Sequence, residues 1–339
     1  MVWQREQASL EIGLVKQKDK LAVRDKRREA EIKKAFAKRS RSAGSNPEVA
    51  VKIAELLIAE SVAIQKRKVK KDLLGKKILV VGGSGRMGAW ICRRLSNRGA
   101  AVSVWDPRGK LDGYDNLDAL KPAVRNSDII VVASPLGAAP AELSLVLEAG
   151  PKGLVLDVCS VKGHIARQLR SAARSGVKIA SAHPMFGPNV PTPRGRSMIV
   201  CDCGSAEGVA EAEKLFKRAG ANVVRMPLER HDELMAYVLG LSHLGSLLFA
   251  TSLARSGQSL AVLKSVQGPS FERMLAASNE LHKESIRVYH DIQALNPSTK
   301  AMFTNFVNSV KFLKRAAIQK DPTEFRKIME SNRKYLEVR

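Results

Sequence analysis

The chain is expected to fold around a doubly wound α/β sheet domain, with one all-helical region before it and another after it. Three observations predict this. Residues 76–228 alternate short apolar runs with amphipathic stretches, residues 229–339 contain no convincing strand, and residues 1–67 read as helical throughout. A length of 339 residues also exceeds one ordinary compact domain and fits two or three.

The elements can be justified in order. Leu10, Ile12, Leu14 and Val15 lie on a first helix that ends near Lys18 and Asp19. A second helix is expected over 25–41, and Ser42, Ala43, Gly44, Ser45, Asn46 and Pro47 break it. A third, over 48–66, carries Val51, Ala54, Leu57, Ile58 and Val62 at helical spacing. Residues 66–71 hold five charges in six positions and read as a basic connector. Strands are expected at 78–81, 101–105, 129–133, 154–158, 178–182 and 198–201, separated by glycine and polar breaks from helix-like stretches. That βαβ rhythm implies a parallel sheet covered on both faces. The final region is a run of helices broken near Gly268-Pro269 and Asn296-Pro297. Such a tail cannot bury its apolar faces alone, so docking on the sheet domain or on a second copy is expected.

Composition narrows the class. Apolar residues make up 45% of the chain, enough for real cores. No apolar run is expected to approach the roughly 20 residues of a bilayer span, so no membrane role is read. The charged N-terminus has no apolar segment before a cleavage site, so no signal peptide is read. Cys92, Cys159, Cys201 and Cys203 show neither disulfide-scaffold nor zinc spacing; no metal is expected, and a reducing cytoplasm is favoured. The net charge of +24 admits nucleic acid or small anions as partners. The basic residues are spread along the chain, aromatics are only 5%, and no nucleic-acid module is visible, so small multiply charged anions are preferred and nucleic acid is not.

After the strand at 78–81 come Gly82, Gly83, Ser84, Gly85, Arg86, Met87 and Gly88, then a helical stretch. Gly83, Gly85 and Gly88 form G-x-G-x-x-G at a strand-to-helix junction. The first glycine permits the turn, the second lets a pyrophosphate approach the backbone, and the third packs helix on strand. The next strand ends at Asp106, eighteen residues past Gly88, where a carboxylate can bond ribose hydroxyls and repel a 2′-phosphate. These features define a Rossmann-type dinucleotide-binding domain that takes NAD in preference to NADP, although Arg108 two residues later pulls the other way. Ser134, just past the strand at 129–133, is expected to contact the cofactor. Downstream, Ser181, Ala182, His183, Pro184, Met185, Phe186, Gly187 and Pro188 follow a strand. Loops at the carboxyl ends of a parallel sheet face the cofactor, which places His183 near a nicotinamide.

This segment and its companions resemble the prephenate dehydrogenase family. The glycine loop, Ser134-Pro135, the run Asp157, Val158, Cys159, Ser160, Val161, Lys162, the His183 segment, and His231-Asp232 followed by His243 occur in family order and spacing, across about residues 76–295. The resemblance implies that His183 accepts the proton of the substrate's ring hydroxyl and that Ser134 orients that contact. By the same comparison His243 binds substrate and Lys162 lies beside the site. A neutral imidazole, with pKa near 6.5, suits that role. The implied reaction is oxidative decarboxylation of prephenate to 4-hydroxyphenylpyruvate. One departure stands out. The family places an arginine on the first C-terminal helices to clamp a substrate carboxylate, and Glu280 occupies that position here, with Arg273 and Arg287 on nearby turns.

Residues 5–65 resemble the all-helical chorismate mutase domain that is fused to prephenate dehydrogenase in bifunctional proteins. Arg5 and Lys16 lie three helical turns apart and point the same way. Asp25, Arg28 and Glu29 share one face, as do Ser61 and Gln65. The rearrangement of chorismate needs cations on two carboxylates and donors to an ether oxygen that gains negative charge. The resemblance gives Arg5 and Arg28 to the carboxylates, Lys16 and Gln65 to the ether oxygen, Glu29 to the substrate hydroxyl, and Ser61 and Asp25 to supporting contacts. The family's first helix extends further upstream and delivers another arginine to the partner subunit's site, so either the true start lies upstream or this segment is a shortened, weakened mutase. Both domains pair through helices in their families, which implies a homodimer. Two alternatives stay open: an arogenate-selective dehydrogenase, and a nucleotide-sensing regulator without catalysis.

Overall fold

At the N-terminus, polar and apolar residues at helical spacing give two helices, α1 (Lys26–Ser42) and α2 (Pro47–Gln65), joined by the glycine-containing break expected there. Asp25 caps α1 by accepting from the Arg28 amide at 3.0 Å. The pair forms a hairpin bridged by Lys33 to Glu55 at 2.7 Å. The structure is a computed structural model that describes residues 8, 9, 12, 13, 15–17, 19–65, 71–281 and 285–337.

The sheet then forms from valine- and isoleucine-rich runs. Its strands are β1 (Lys77–Val81), β2 (Ala101–Trp105), β3 (Asp115–Asn116), β4 (Ile129–Val132), β5 (Leu154–Asp157), β6 (Ile179–Pro184), β7 (Ser197–Asp202) and β8 (Asn222–Pro227), in the order β3-β2-β1-β4-β5-β6-β7-β8. The first six are parallel, and β7 runs antiparallel to β6 while pairing in parallel with β8. Between them lie α3 (Arg86–Asn97), α4 (Leu120–Arg125), α5 (Ala139–Glu148), α6 (Ala166–Arg174) and α7 (Ala206–Arg218). Side chains alternate across the pleat. Leu79 and Val81 enter the core on one face, and Ile78 and Val80 enter the core on the other. β4, β5 and β6 are buried along their whole length, the signature of strands covered by helices on both sides.

Strand order, not strand direction, reverses between β1 and β4, and this switch point opens the crevice in which doubly wound sheets bind ligands. Two strands escaped the sequence reading. β3 has only two residues, and β8 lies at the edge with mostly exposed side chains, so neither leaves an apolar run. A third difference matters more: His183 lies inside β6, opposite Ile199 of β7, rather than in a loop after it.

The C-terminal part is helical over its described residues: α8 (Leu228–Met235), a wide π-type turn at Ala236–Leu241, α9 (Ser242–Arg255), α10 (Leu260–Ser265), α11 (Pro269–Leu281), α12 (Ile286–Ala294), α13 (Thr299–Ala317) and α14 (Thr323–Glu337). The wide turn sets the phase of the helix. His231 and His243 are twelve residues apart. In an unbroken α-helix they would diverge by about 120°. Absorbing one extra residue in a π-type turn reduces that to about 20°, so both histidines look the same way. The Gly240 carbonyl within the turn accepts from Gln293 Nε2 at 2.9 Å.

The expectation about apolar runs needs correction. Residues 234–254 contain no Asp, Glu, Lys or Arg, and the continuous helix Leu228–Arg255 has an 18-residue window of mean hydropathy 1.5, long and apolar enough to cross a bilayer by length and composition. The glycines, serines and histidine scattered through it masked the run. Its start nevertheless sits in protein, with His231 and Asp232 buried in a polar network.

Candidate active site

The crevice begins with the glycine loop. Gly82 adopts φ +79°, which L side chains avoid, as the chain leaves β1. A Cβ at Gly88 would stand 2.2 Å from the Gly82 carbonyl, so only glycine lets α3 pack this close to the strand end. Gly85 starts α3 without a side-chain cap, leaving the first amides of the helix open for an anion. Ser84, Arg86 and Met87 complete the loop. The loop after β6 closes over this helix: Trp90 Nε1 donates to the Val190 carbonyl at 2.5 Å, the Trp90 and Phe186 rings lie 5.3 Å apart, and Arg86 reaches Asn189 at 3.2 Å. The His183 segment is thereby tied to the nucleotide helix.

Asp106 stands at the end of β2, where the ribose of a dinucleotide would lie. Its carboxylate accepts from the Ser84 amide at 3.1 Å and hydroxyl at 2.5 Å, and pairs with Arg108 at 3.0 Å. Burial works against its charge, but these donors outweigh it and hold the carboxyl below the usual carboxylate range. Arg108 also reaches Glu142 at 3.2 Å, and the Ser134 hydroxyl donates to that same Glu142. Ser134, expected to orient the histidine contact, is thus held by a carboxylate. A Cβ at Gly82 would lie 2.9 Å from the Ser134 amide, so the serine does border the crevice.

His183 is 3% exposed, and its Nδ1 lies 2.9 Å from His231 Nε2. His231 Nδ1 lies 2.7 Å from Asp232 Oδ1. The Asp232 carboxylate accepts from the amides of Lys162, at 2.9 and 3.1 Å, and Gly163, at 2.6 Å, while Asn296 holds the Asp232 carbonyl at 2.9 Å. Burial, then His231 and the Lys162 cation, push the His183 pKa well below that of free imidazole. The ring is therefore neutral at pH 7, as a proton acceptor needs.

Lys162 departs from expectation. The resemblance placed it beside the substrate, yet its amine is sealed at 1% exposure, donating to Asp157 at 2.9 Å and to the Ala182 carbonyl at 2.7 Å. Burial opposes its charge, but Asp157 outweighs burial and raises the pKa above the ordinary lysine value. It ties β5 to β6 behind His183 and cannot reach a ligand. His243 is half-buried, with its Nδ1 buried and unpartnered and its ring edge-on to Tyr289 at 4.6 Å. Glu280 is exposed on α11 and, as a carboxylate, supplies no cation. Arg287 does approach: its guanidinium comes within 3.3 Å of where a Cβ on Gly137 would stand, in the loop that begins at Ser134.

The N-terminal residues form a different picture. Arg5 lies outside the described residues. Gln17 donates to the Gln65 carbonyl at 3.0 Å, so the first helical stretch meets the end of α2. Gln65 is 8% exposed, and its Oε1 is buried without a partner. Lys16, one residue from that junction, donates to the Val23 carbonyl at 2.8 Å. Arg28 pairs with Glu31 at 2.9 Å, Glu29 with Arg24 at 3.0 Å, and Ser61 is half-buried on α2. Among the described residues Lys16, Arg28 and Glu29 are each paired with a neighbour in the chain.

Sequence reasoning missed the contact between His231 and His183 and the Glu142 carboxylate on Ser134, whereas Arg287 was one of the two nearby arginines it named. His231-Asp232 was visible as a motif, but nothing in the spacing of 48 residues between His183 and His231 shows that their rings touch.

Comparison with known proteins completes the description. Residues 110–225 match the prephenate dehydrogenase nucleotide-binding domain, residues 227–331 its dimerization domain, and residues 2–66 type II chorismate mutase. The chain is 32% identical over 236 residues to a 4-amino-4-deoxyprephenate dehydrogenase of Streptomyces pristinaespiralis, covering 66% of this chain and 79% of that protein. It is 26% identical over 269 residues to a probable arogenate/prephenate dehydrogenase of Methanocaldococcus jannaschii, covering 76% of this chain but only 60% of that protein's length. In fold it is similar to the A. aeolicus prephenate dehydrogenase solved with hydroxyphenyl propionate and NAD+, with a TM-score of 0.62 at 18% identity, covering 78% of this chain and all of that one.

Proposed function

The chain belongs to the prephenate dehydrogenase family with a type II chorismate mutase segment ahead of it, and from that premise we propose that it converts prephenate to 4-hydroxyphenylpyruvate with NAD and makes prephenate from chorismate. The observation that carries the first reaction is the buried, neutral His183 beside the loop that packs on the nucleotide helix. The open amides of α3, the close approach at Gly88 and Asp106 at the end of β2 suit NAD, which supplies the hydride acceptor when bound.

His183 takes the proton of the ring hydroxyl. The C–H electron pair of the same carbon leaves as hydride, and a carbonyl forms. Loss of the ring carboxylate as carbon dioxide sends its electron pair into the ring, which becomes aromatic, and the proton returns from His183 to the oxygen. His243 and Arg287 approach from the helical side as partners for the substrate's polar groups, and Ser134 approaches from the end of β4. In the mutase segment, Lys16 and Gln65 serve the ether oxygen while Arg5 and Arg28 serve the carboxylates.

Two copies of the chain are expected to pair. Ile53 and Leu56 on α2, and Val307, Val310 and Phe312 on α13, are exposed apolar side chains that a second copy would cover. The protein is expected to act in the cytoplasm on small anions, with no nucleic acid partner. Formation of NADH on addition of prephenate, and consumption of chorismate without NAD, test the two activities; absence of both would overturn the reading. Glu280 favours a second reading, selectivity for arogenate, because its carboxylate repels a carboxylate and attracts the ammonium that arogenate carries. Turnover of the two substrates measured side by side discriminates them.

A further inference from the structure

Resting on that reading, we propose that His231 and Asp232 are positioning residues that fix which nitrogen of His183 is free to take the substrate's proton. The argument runs outward from the carboxylate. Asp232 accepts two backbone N–H groups, from Lys162 and Gly163, so it is the ionised, accept-only member of the network. Its contact with His231 Nδ1 at 2.7 Å then requires a proton on that nitrogen. Burial keeps His231 neutral, with the Lys162 cation acting in the same direction against the pull of Asp232. A neutral ring protonated on Nδ1 has a lone pair on Nε2, which can only accept. His183 Nδ1, 2.9 Å away, is therefore the donor. What remains on His183 is the Nε2 lone pair, which no protein contact in the network uses.

The same chain prepares the ring for the charge it gains. When the hydroxyl O–H bond breaks and an Nε2–H bond forms, His183 becomes an imidazolium. Its Nδ1–H already points at the His231 lone pair, and the Asp232 carboxylate lies one ring further on as counter-charge. No side chain has to turn. His231 is fully buried and Asp232 4% exposed, so water cannot substitute for either. Packing alone would not explain the arrangement, because it uses both nitrogens of one ring and the carboxylate in directed contacts. An aspartate behind a catalytic imidazole that sets its tautomer is known to matter, and its replacement by asparagine costs about 10⁴-fold in kcat in serine proteases.

The test reads the tautomer directly. In protein carrying 15N-labelled histidine, the His183 signals are expected to show a protonated Nδ1 and an unprotonated Nε2. A proton found on Nε2 in the wild-type protein overturns the proposal, whatever any variant does. Asp232→Asn would let the amide oxygen accept the Lys162 and Gly163 N–H groups and turn its NH₂ toward His231, reversing every donor in the chain. The expected result is a His183 protonated on Nε2, a kcat on prephenate lower by roughly 10³- to 10⁴-fold, and unchanged NAD affinity. His231→Phe, which keeps ring volume, is expected to lose kcat on a similar scale with little change in KM. Near-wild-type kcat in a folded, NAD-binding form of either variant would also sink the proposal. If the wild type has the stated tautomer but forms no NADH from prephenate, the dehydrogenase reading fails and the assignment of the ring nitrogens stands.

Discussion

Two regions of this chain, the centre of the sheet domain and the N-terminal hairpin, carry polar residues in opposite circumstances. His183, His231, Asp232, Lys162 and Asp157 are each at most 4% exposed, whereas no residue of α1 is buried. In the first region, every charge taken from water had to find a partner within the chain, so the groups hold one another in fixed positions. In the second, cations and carboxylates on exposed helices pair with whichever neighbour is nearest, at little gain. A buried polar cluster is therefore a site that one chain builds for itself. Exposed functional groups need a second surface to exclude water and bring them together.

The largest effect that would break or sharpen this contrast is on turnover. His183→Gln is expected to lower the dehydrogenase rate by about 10²- to 10⁴-fold while leaving NAD affinity and chorismate turnover unchanged. Parallel NADH and chorismate assays check this, and a joint loss would mean that the two regions are not independent. Lys16→Ala should do the reverse, lowering chorismate turnover by roughly 10²- to 10³-fold and sparing NADH formation. Removing the cation near Ser134 with Arg287→Ala should raise KM for prephenate by about tenfold or more, the worth of a charge-assisted hydrogen bond. An unchanged KM would leave the substrate carboxylate to another residue.

Stability offers a smaller test of the same contrast. Asp157→Ala leaves the Lys162 ammonium buried and unpaired, and is expected to cost about 3–5 kcal/mol in urea unfolding. Glu31→Ala, which breaks the exposed pair with Arg28, should cost no more than about 1 kcal/mol. The smallest effect is on pH. Burial lowers the pKa values of His164, His183, His231 and His243 below 6.5 in the folded chain. The unfolded chain therefore binds more protons as pH falls, so this part of the stability is complete above pH 6.5 and shrinks below it. Asp232, held low, withdraws its own contribution only at much more acid pH, below its ordinary 3.8. Melting temperature against pH should follow that course. The dehydrogenase rate should stay level through pH 6.5 and fall only well below it, because His183 must be neutral to act.

Much of this was legible in the residues. Runs such as Ile129–Val132 announce a strand buried on both faces, and the glycine loop announces the nucleotide crevice, because both depend on neighbours in sequence. What stayed hidden depends on tertiary register. β8 is an edge strand without an apolar pattern, and the wide turn at Ala236–Leu241 has no composition of its own. The meeting of His183 with His231 follows from that fold, not from spacing. Lys162 was misplaced because a motif gives the position of a side chain but not the direction in which it is spent. The uncharged stretch 234–254 was overlooked because small and polar residues interrupt its apolar ones.

The string of contacts from Ser84 through Asp106, Arg108 and Glu142 to Ser134 has a consequence of its own. Any ribose hydroxyl that donates to Asp106 competes with Arg108 for that carboxylate. Arg108 in turn shares the carboxylate that leashes the Ser134 hydroxyl. If a dinucleotide binds there, the string gives its adenosine end a route of hydrogen bonds and ion pairs to the Ser134 hydroxyl.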